Sequence, residues 1–183
     1  MKNQLRLPHL PYKETIQTKT TLHLFLQIIG KIRLKSTPRK NHWWYITEYI
    51  DTRGFTTGPI PYNSGLDQFD ITINVLKHQL EVNTSQDEFE FFPLDNQLTV
   101  ADFYHKLTTL LNKLNISVSI VDVPFDLGID KSFKDIIEYH HYDSKYVKNL
   151  WRTLLWINNV FQEFSGRFYG KPVRFNCIGI LLI

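Results

Sequence analysis

The segment from Thr20 to Leu34 constrains the fold of this chain more than any other feature of the sequence. Its apolar residues recur at steps of three and four, which predicts a helix, and further apolar residues widen the apolar face. A helix this apolar must be covered on most of its sides. The remaining polar stripe consists of His23, Gln27, Gly30 and Lys31. That stripe must therefore face either solvent or a polar cavity.

Two further helices are predicted from capping residues followed by apolar stripes. Thr99 has the spacing of an N-cap to Asp102, and the apolar periodicity continues to about Asn115. Asp143 is expected to cap the longest helix, which continues to about Phe164.

Extended segments fill most of the remaining sequence. They are recognised by alternating or β-branched and aromatic residues, bounded by turn signals such as those at residues 51–54. The candidates are Trp43–Ile50, Phe55–Tyr62, Phe69–Val75, Gln79–Asn83, Glu88–Phe92, Ile116–Val123 and Val173–Ile183. The strict alternation over Phe69–Val75 predicts a strand with one wet face. Residues 124–141 are expected to form a long irregular connection whose aromatics could cover a groove.

We predict an α+β fold, in which a mainly antiparallel sheet of about five or six strands packs against three helices. The 183 residues contain no internal repeat and no linker rich in Pro, Gly or Ser. Residues 1–17, with Pro8 and Pro11, are expected to form an extended arm, and residues 18–183 a single domain. Within that domain, residues 173–183 are either an apolar terminal strand or a divergent tail.

Composition favours a packed intracellular protein. The hydrophobic fraction of 43% argues against disorder. Cys177 is the only cysteine, so an internal disulfide is excluded. The sequence shows no signal peptide and no apolar run of membrane-spanning length. We therefore expect a cytoplasmic protein without a membrane partner, whose oligomeric state the sequence does not define.

Charge is distributed unevenly along the chain. Residues 1–40 hold nine Lys and Arg against one acid, whereas residues 41–138 hold six bases and fifteen acids. This asymmetry suits an anion-binding face, but it equally suits two oppositely charged elements that pack together. The second explanation is favoured.

The segment from Thr21 to Tyr62 contains the pieces TLH, QIIGK, NHWW, RGFTT and PIPY. In this order they resemble the opening of an uncharacterised bacterial family, the domain of unknown function 5996. VADFY at residues 100–104 and FSGRFYGK at residues 164–171 are also similar in order and spacing. The resemblance covers roughly residues 15–171 and implies a family without implying a reaction.

The end of the chain departs from that family pattern. Family members usually continue with a further aromatic strand and a second half, whereas this sequence ends in RFNCIGILLI. The resemblance therefore implies a C-terminally truncated member. A family site that used residues of the second half would be incomplete here.

A small-ligand pocket is the leading functional hypothesis. It would combine the polar stripe with the segment that follows the first helix, and its candidate residues are His23, Gln27, Lys31, Asn41, His42, Trp43 and Trp44. A cation and amide donors beside aromatic walls would suit a small anionic or planar ligand. The alternative is that the stripe faces solvent while the tryptophans fill the core.

Two other classes of function stay open. The basic residues Lys31, Arg33, Lys35, Arg39 and Lys40 lead into His42, Trp43 and Trp44, a combination of phosphate-binding charge and stacking surface. The acidic residues that follow would repel a long polyanion, so nucleic acid is the less favoured partner. The third class is a structural or interaction module that uses exposed aromatic residues.

Catalytic residues and cofactors are not defined by the sequence. His140, His141 and Asp143 lack the spacing of a known zinc motif, and Asp143 is better explained as a helix cap. Ser165 lacks a nucleophile elbow, and Cys177 lies in an apolar run that disfavours a thiolate. We therefore expect no metal site and leave open whether the protein is an enzyme.

Overall fold

The computed structural model describes residues 6–167, apart from the side chains of Tyr12, Glu14 and His42. The described part has an α+β fold, in which an antiparallel sheet of six strands packs against three α-helices, as predicted. The helices are α1 (Tyr12–Ser36), α2 (Val100–Lys113) and α3 (Ser144–Ser165). The strands are β1 (Tyr49–Ile50), β2 (Gly54–Thr56), β3 (Ile60–Tyr62), β4 (Asp67–Asn74), β5 (Gln79–Thr84) and β6 (Phe89–Pro93).

Strand β4 is the centre of the sheet. The strand order is β1-β2-β4-β5-β6, and β3 also pairs with β4. The turn between β1 and β2 is stabilised by Asp51, whose carboxylate accepts hydrogen bonds from the backbone N–H groups of Arg53 at 2.8 Å and Gly54 at 2.9 Å. Gly54 is required for close packing, because a Cβ atom there would lie 1.9 Å from the Ile73 carbonyl oxygen.

Helix α1 lies at the centre of the hydrophobic core. It packs against α2, α3, β3 and the 3-10 helix Asn41–Ile46. Phe25 stacks on Phe103 of α2 with ring centroids 4.0 Å apart, and Phe103 meets Phe92 of β6 edge-on at 5.6 Å. These contacts join the first helix, the second helix and the sheet, as the apolar character of α1 requires.

The N-terminal parts of α1 and α3 lie side by side. The Thr18 hydroxyl accepts a hydrogen bond from the Asp143 backbone N–H at 3.2 Å. The Asp143 carboxylate caps α3 by accepting from the Tyr146 N–H at 3.0 Å, and the Thr99 hydroxyl caps α2 by accepting from the Asp102 N–H at 3.0 Å. Both predicted N-caps are confirmed.

The polar face of the sheet is more deeply buried than the alternation over Phe69–Val75 predicts. Thr72 and Asn74 on β4 are buried, as is Glu81 on β5. The Glu81 carboxylate accepts from Gln79 at 2.7 Å, Asn74 at 2.9 Å and Arg53 at 3.2 Å. Polar residues can be buried here because they satisfy one another's hydrogen bonds. The prediction of a wet face was therefore wrong for these positions.

Two segments differ from their predicted strands. Only Tyr49 and Ile50 of the predicted strand Trp43–Ile50 form a β-strand, because residues 41–46 form a 3-10 helix in which Trp43 has φ 59°. Residues 116–123 contain no strand. The β propensity of aromatic and β-branched residues was overridden in both places by packing against the helices.

The predicted extended arm is also partly helical. Residues 12–17 form the first turns of α1, which begins directly after Pro11. Thr15 and Thr18 are buried, so these turns are held against the rest of the molecule. The predicted terminal strand at residues 173–183 lies outside the described residues. Among the described helices, none combines the length and the hydropathy needed to cross a membrane.

Candidate functional site

A cavity of about 340 Å³ lies between α1, the 3-10 helix and the loop that follows residue 120. The described residues that line it are mostly apolar: Gln27, Gly30, Lys31, Leu34, Trp43, Ile46 and Phe125. Its size falls in the range of about 300–1,000 Å³ that is typical of small-molecule sites. The polar stripe of α1 therefore faces a cavity along part of its length.

Gln27 fixes one wall of this cavity. Its amide oxygen accepts from the Phe125 backbone N–H at 2.7 Å, and its amide nitrogen donates to the Phe125 carbonyl oxygen at 2.8 Å. The same nitrogen lies 3.3 Å from Nε2 of His23. Because Gln27 is only 3% exposed and its amide is already engaged, its role is to position the Phe125 loop.

Lys31 supplies the cationic group at the cavity wall. Its Nζ lies 5.9 Å from the centroid of the buried Phe133 ring, and no carboxylate of residues 6–167 lies within ion-pair distance. Burial lowers the pKa of the Lys31 amine, while the charge of Asp122 raises it to a smaller extent. The Asp122 carboxylate is itself engaged, since it accepts from the Ser132 hydroxyl at 2.6 Å and lies 3.7 Å from Lys134.

Trp43 forms the wall contributed by the 3-10 helix. Its ring stacks on Tyr45 with centroids 5.9 Å apart, and the Arg39 guanidinium carbon lies 5.9 Å from the ring centroid. Trp43 is 56% exposed and Phe125, on the loop wall, is 57% exposed. Two aromatic side chains therefore border the opening of the cavity to solvent.

The structure brings together part of the predicted site. Gln27, Lys31 and Trp43 line the cavity, and His23 lies beside it through its contact with Gln27. Asn41 and Trp44 are exposed and are not among the described lining residues. The 3-10 helix includes His42, whose side chain lies outside the described atoms.

Sequence reasoning missed four wall residues. Those residues are Gly30, Leu34, Ile46 and Phe125, of which Gly30 belonged to the polar stripe but was not a candidate site residue. The available signal for Phe125 was the long irregular connection at residues 124–141, whose aromatics were expected to cover a groove. Leu34 carried a weaker signal. It lies four residues after Gly30 on the helix and therefore extends the stripe by one turn.

Arg33 does not contribute to a basic surface. Its guanidinium is buried and donates to the carbonyl oxygens of Thr57 and Pro59, with Tyr49 Oη 3.5 Å away. Burial lowers the pKa of Arg33, and the neighbouring Tyr49 and Glu48 oppose that effect. The basic segment, which was the alternative candidate for binding nucleic acid, therefore has one of its five cations in the interior.

Glu48 is the most unusual buried group in the described structure. It has no solvent exposure, and neither carboxylate oxygen accepts a hydrogen bond from residues 6–167. Burial raises the pKa of Glu48 well above its ordinary value, and the positive charge of Arg33 only partly offsets this. A neutral carboxyl group is the favoured form in such surroundings.

Comparison with known proteins identifies the family. The sequence matches the group described as "Family of unknown function (DUF5996)" over residues 7–177. The chain belongs to this family. No curated protein and no solved structure matches this chain. Membership in DUF5996 assigns no activity, and bacterial origin and C-terminal truncation stay predictions.

Metal-binding chemistry receives no support from the part of this DUF5996 chain that the structure describes. No group of three or more His, Cys, Asp or Glu side chains in residues 6–167 is arranged to hold a metal ion. The rings of His140 and His141 lie 4.4 Å apart, and the neighbouring Asp143 caps α3. The cavity beside Lys31 is therefore the candidate site.

Proposed function

We propose that the cavity binds a small, planar and mainly apolar molecule that directs one hydrogen-bond acceptor, such as a carboxylate, at Lys31. The observation that carries this proposal is a single lysine, Lys31, among the otherwise largely apolar described residues that line the cavity. Ligand sites commonly combine apolar walls with a few polar groups that fix orientation. The ligand would bury its apolar body and pair its polar end with the amine.

Aromatic walls favour a planar ligand. Trp43 and Phe125 border the opening, and both expose more than half of their surface to solvent. A flat ring between them would remove apolar surface from water and gain stacking contacts. Leu34 and Ile46 offer further apolar contact.

Lys31 would select the polar end of the ligand. The Lys31 ammonium has no ion-pair partner in residues 6–167, and the charge of Asp122 only partly offsets the hydration that it has lost. A ligand acceptor would supply that compensation. Because Gln27 already donates to Phe125, discrimination would depend mainly on the Lys31 amine.

The cavity wall is prepared before binding. The paired hydrogen bonds between Gln27 and Phe125 hold the loop in place, so a ligand would not have to order it. Preorganisation of this kind improves affinity because it lowers the entropy lost on binding.

Titration with 2-naphthoate, followed by tryptophan fluorescence, tests the proposal. We expect saturable binding that Lys31→Met weakens by about tenfold, equivalent to about 1.4 kcal/mol. Lys35→Met is the matched control, because Lys35 is an exposed α1 lysine outside this cavity. The neutral analogue 2-naphthalenemethanol should respond much less to Lys31→Met. Equal effects of both lysine variants, or no saturation, would contradict the proposal.

Nucleic acid is the second class of partner, and the structure gives it less support. Arg33 is buried, which leaves Lys35, Arg39 and Lys40 as exposed cations of the basic segment, and Arg39 lies over the Trp43 ring. Few phosphate contacts give weak binding at physiological salt. A single-stranded oligonucleotide that binds tightly and with a steep salt dependence would reverse this preference.

We also propose a cytoplasmic location. The single cysteine of the sequence supports a reducing compartment, where disulfides are rare. Localisation of a fluorescently tagged full-length chain in its native host tests this, and accumulation outside the cytoplasm would contradict it.

A further inference from the structure

We propose that the molecule bound in this cavity is an aldehyde and that Lys31 condenses with it to form an imine. The inference rests on the proposed function, since it requires the cavity to accept a planar apolar body. It adds a covalent step and names the class of ligand.

The surroundings of Lys31 are those of a reactive amine. The amine belongs to a cavity-lining residue, and no carboxylate of the described chain forms an ion pair with it, whereas the face of the Phe133 ring 5.9 Å away favours its charged form. Asp122 is the acidic group that acts on Lys31 from the neighbouring loop, and it is occupied by Ser132 and Lys134. A lysine that is desolvated in this way presents more neutral amine, which is the nucleophilic form.

The apolar walls of the cavity would favour an imine once the bound aldehyde covers them, since Leu34 and Phe125 are 40% and 57% exposed. Imines form by loss of water and revert by its addition, so apolar walls favour the condensed form. Leu34, Ile46 and Phe125 provide such walls beside Lys31. The opening between Trp43 and Phe125 still admits the ligand and releases the water that is formed.

The chemistry is balanced without an oxidant or reductant. The lone pair of the neutral Nζ attacks the aldehyde carbon, a C–N bond forms, and the carbonyl π electrons pass to oxygen. Oxygen takes up a proton as nitrogen loses one, which gives a carbinolamine. That hydroxyl takes a proton from solvent and departs as water while the nitrogen lone pair forms the C=N bond, which gives a protonated imine, and loss of the N–H proton to solvent gives the neutral imine of Lys31.

Reductive trapping tests the inference. The full-length protein is incubated with 2-naphthaldehyde and sodium cyanoborohydride, which delivers hydride to an iminium carbon, and the adduct is located by peptide mass spectrometry. We expect Lys31 to be modified at least about tenfold faster than the exposed Lys13 and Lys35, because binding raises the local aldehyde concentration. Even modification of these lysines would overturn the inference.

Two variants separate chemistry from folding. Lys31→Met should lose the dominant adduct while Lys35→Met retains it. Leu34→Trp keeps the amine but fills part of the cavity, and it should slow modification of Lys31 while leaving Lys13 unchanged. Unchanged labelling of Lys31 in Leu34→Trp would show that the cavity plays no part and would overturn the inference.

Failure of the inference is distinguishable from failure of the proposed function. Saturable binding of 2-naphthoate without preferential modification of Lys31 would reject the imine and leave the binding site in place. Absence of binding by 2-naphthoate, together with even labelling by 2-naphthaldehyde, would reject both.

Discussion

The side-chain amide of Gln27 pairs with the backbone amide of Phe125 through two hydrogen bonds of 2.7 and 2.8 Å, across 98 residues of sequence. The Gln27 side chain thereby satisfies both the N–H and the C=O group of Phe125, as a paired residue of a neighbouring strand would. Gln27 therefore ties the loop at the cavity opening to α1.

Substitution of Gln27 tests this dependence. Gln27→Leu preserves side-chain size but removes both hydrogen bonds, and we expect the free energy of unfolding to fall by about 1–3 kcal/mol. Urea denaturation measures this loss, and binding of 2-naphthoate should weaken in parallel. Gln17→Leu is the control, because Gln17 is exposed on the same helix. Equal stability of the two variants would show that the pairing is dispensable.

Glu48 is predicted to make stability depend on pH. Burial raises its pKa in the folded protein, so the folded state binds the proton more tightly than the unfolded chain does. Its favourable contribution is complete below the ordinary glutamate pKa and is lost as pH rises through the raised value. Glu48→Gln should therefore stabilise the protein at neutral and alkaline pH by about 1 kcal/mol or more.

The pH profile of chemical denaturation checks this prediction. The difference between Glu48→Gln and the parent protein should grow as pH rises from 4 and should vanish in acid. Glu88→Gln, an exposed substitution on the turn before β6, should not change the profile. A loss of stability in Glu48→Gln that is constant across pH would contradict a protonated Glu48.

Arg33 is expected to be essential for folding. Arg33→Met removes donors to the Thr57 and Pro59 carbonyl groups, and we expect the free energy of unfolding to fall by about 3 kcal/mol. Thermal denaturation of Arg33→Met beside Lys35→Met provides the comparison on one helix. Similar melting temperatures would argue that the guanidinium is unimportant to the fold.

Gly54 is expected to tolerate no side chain. Gly54→Ala would place a Cβ atom 1.9 Å from the Ile73 carbonyl oxygen, and separation of β2 from β4 should cost about 3 kcal/mol. Gly166→Ala is the control, because the nearest atom to its added Cβ lies at 3.4 Å. Guanidinium denaturation measures both. A small effect at Gly54 would mean that the strands adjust readily.

Trp43 and Trp44 should differ in their effect on binding. Trp43→Ala removes a cavity wall, and we expect the affinity for 2-naphthoate to fall by about tenfold. Trp44→Ala should change the affinity little, since Trp44 is not among the described lining residues. Isothermal titration calorimetry avoids the loss of fluorescence signal. A larger effect of Trp44→Ala would relocate the site.

Regular periodicity accounts for what the sequence predicted well. The three helices and strands β4, β5 and β6 follow from apolar spacing and from the caps Thr99 and Asp143, because those signals are local. The segment around Trp43 was mispredicted, since a positive φ at a tryptophan has no local sequence signal.

The candidate site was predictable on the helix and unpredictable on the loop. Gln27 and Lys31 share a face by helical geometry alone, so their joint orientation follows from sequence. Phe125 is held against Gln27 by tertiary hydrogen bonds, which no local sequence pattern encodes. Arg33 was likewise grouped with surface cations, because no local sequence pattern shows that it donates hydrogen bonds to the Thr57 and Pro59 carbonyl oxygens.

The contact between Thr18 and Asp143 has a consequence for synthesis on the ribosome. Helix α1 is synthesised before α2 and α3, which both pack against it. Helix α3 is made more than a hundred residues later. The apolar face of α1 that packs against α3 therefore stays exposed to solvent until α3 has been translated. Chaperones that hold nascent apolar segments would meet α1 before its own partners do.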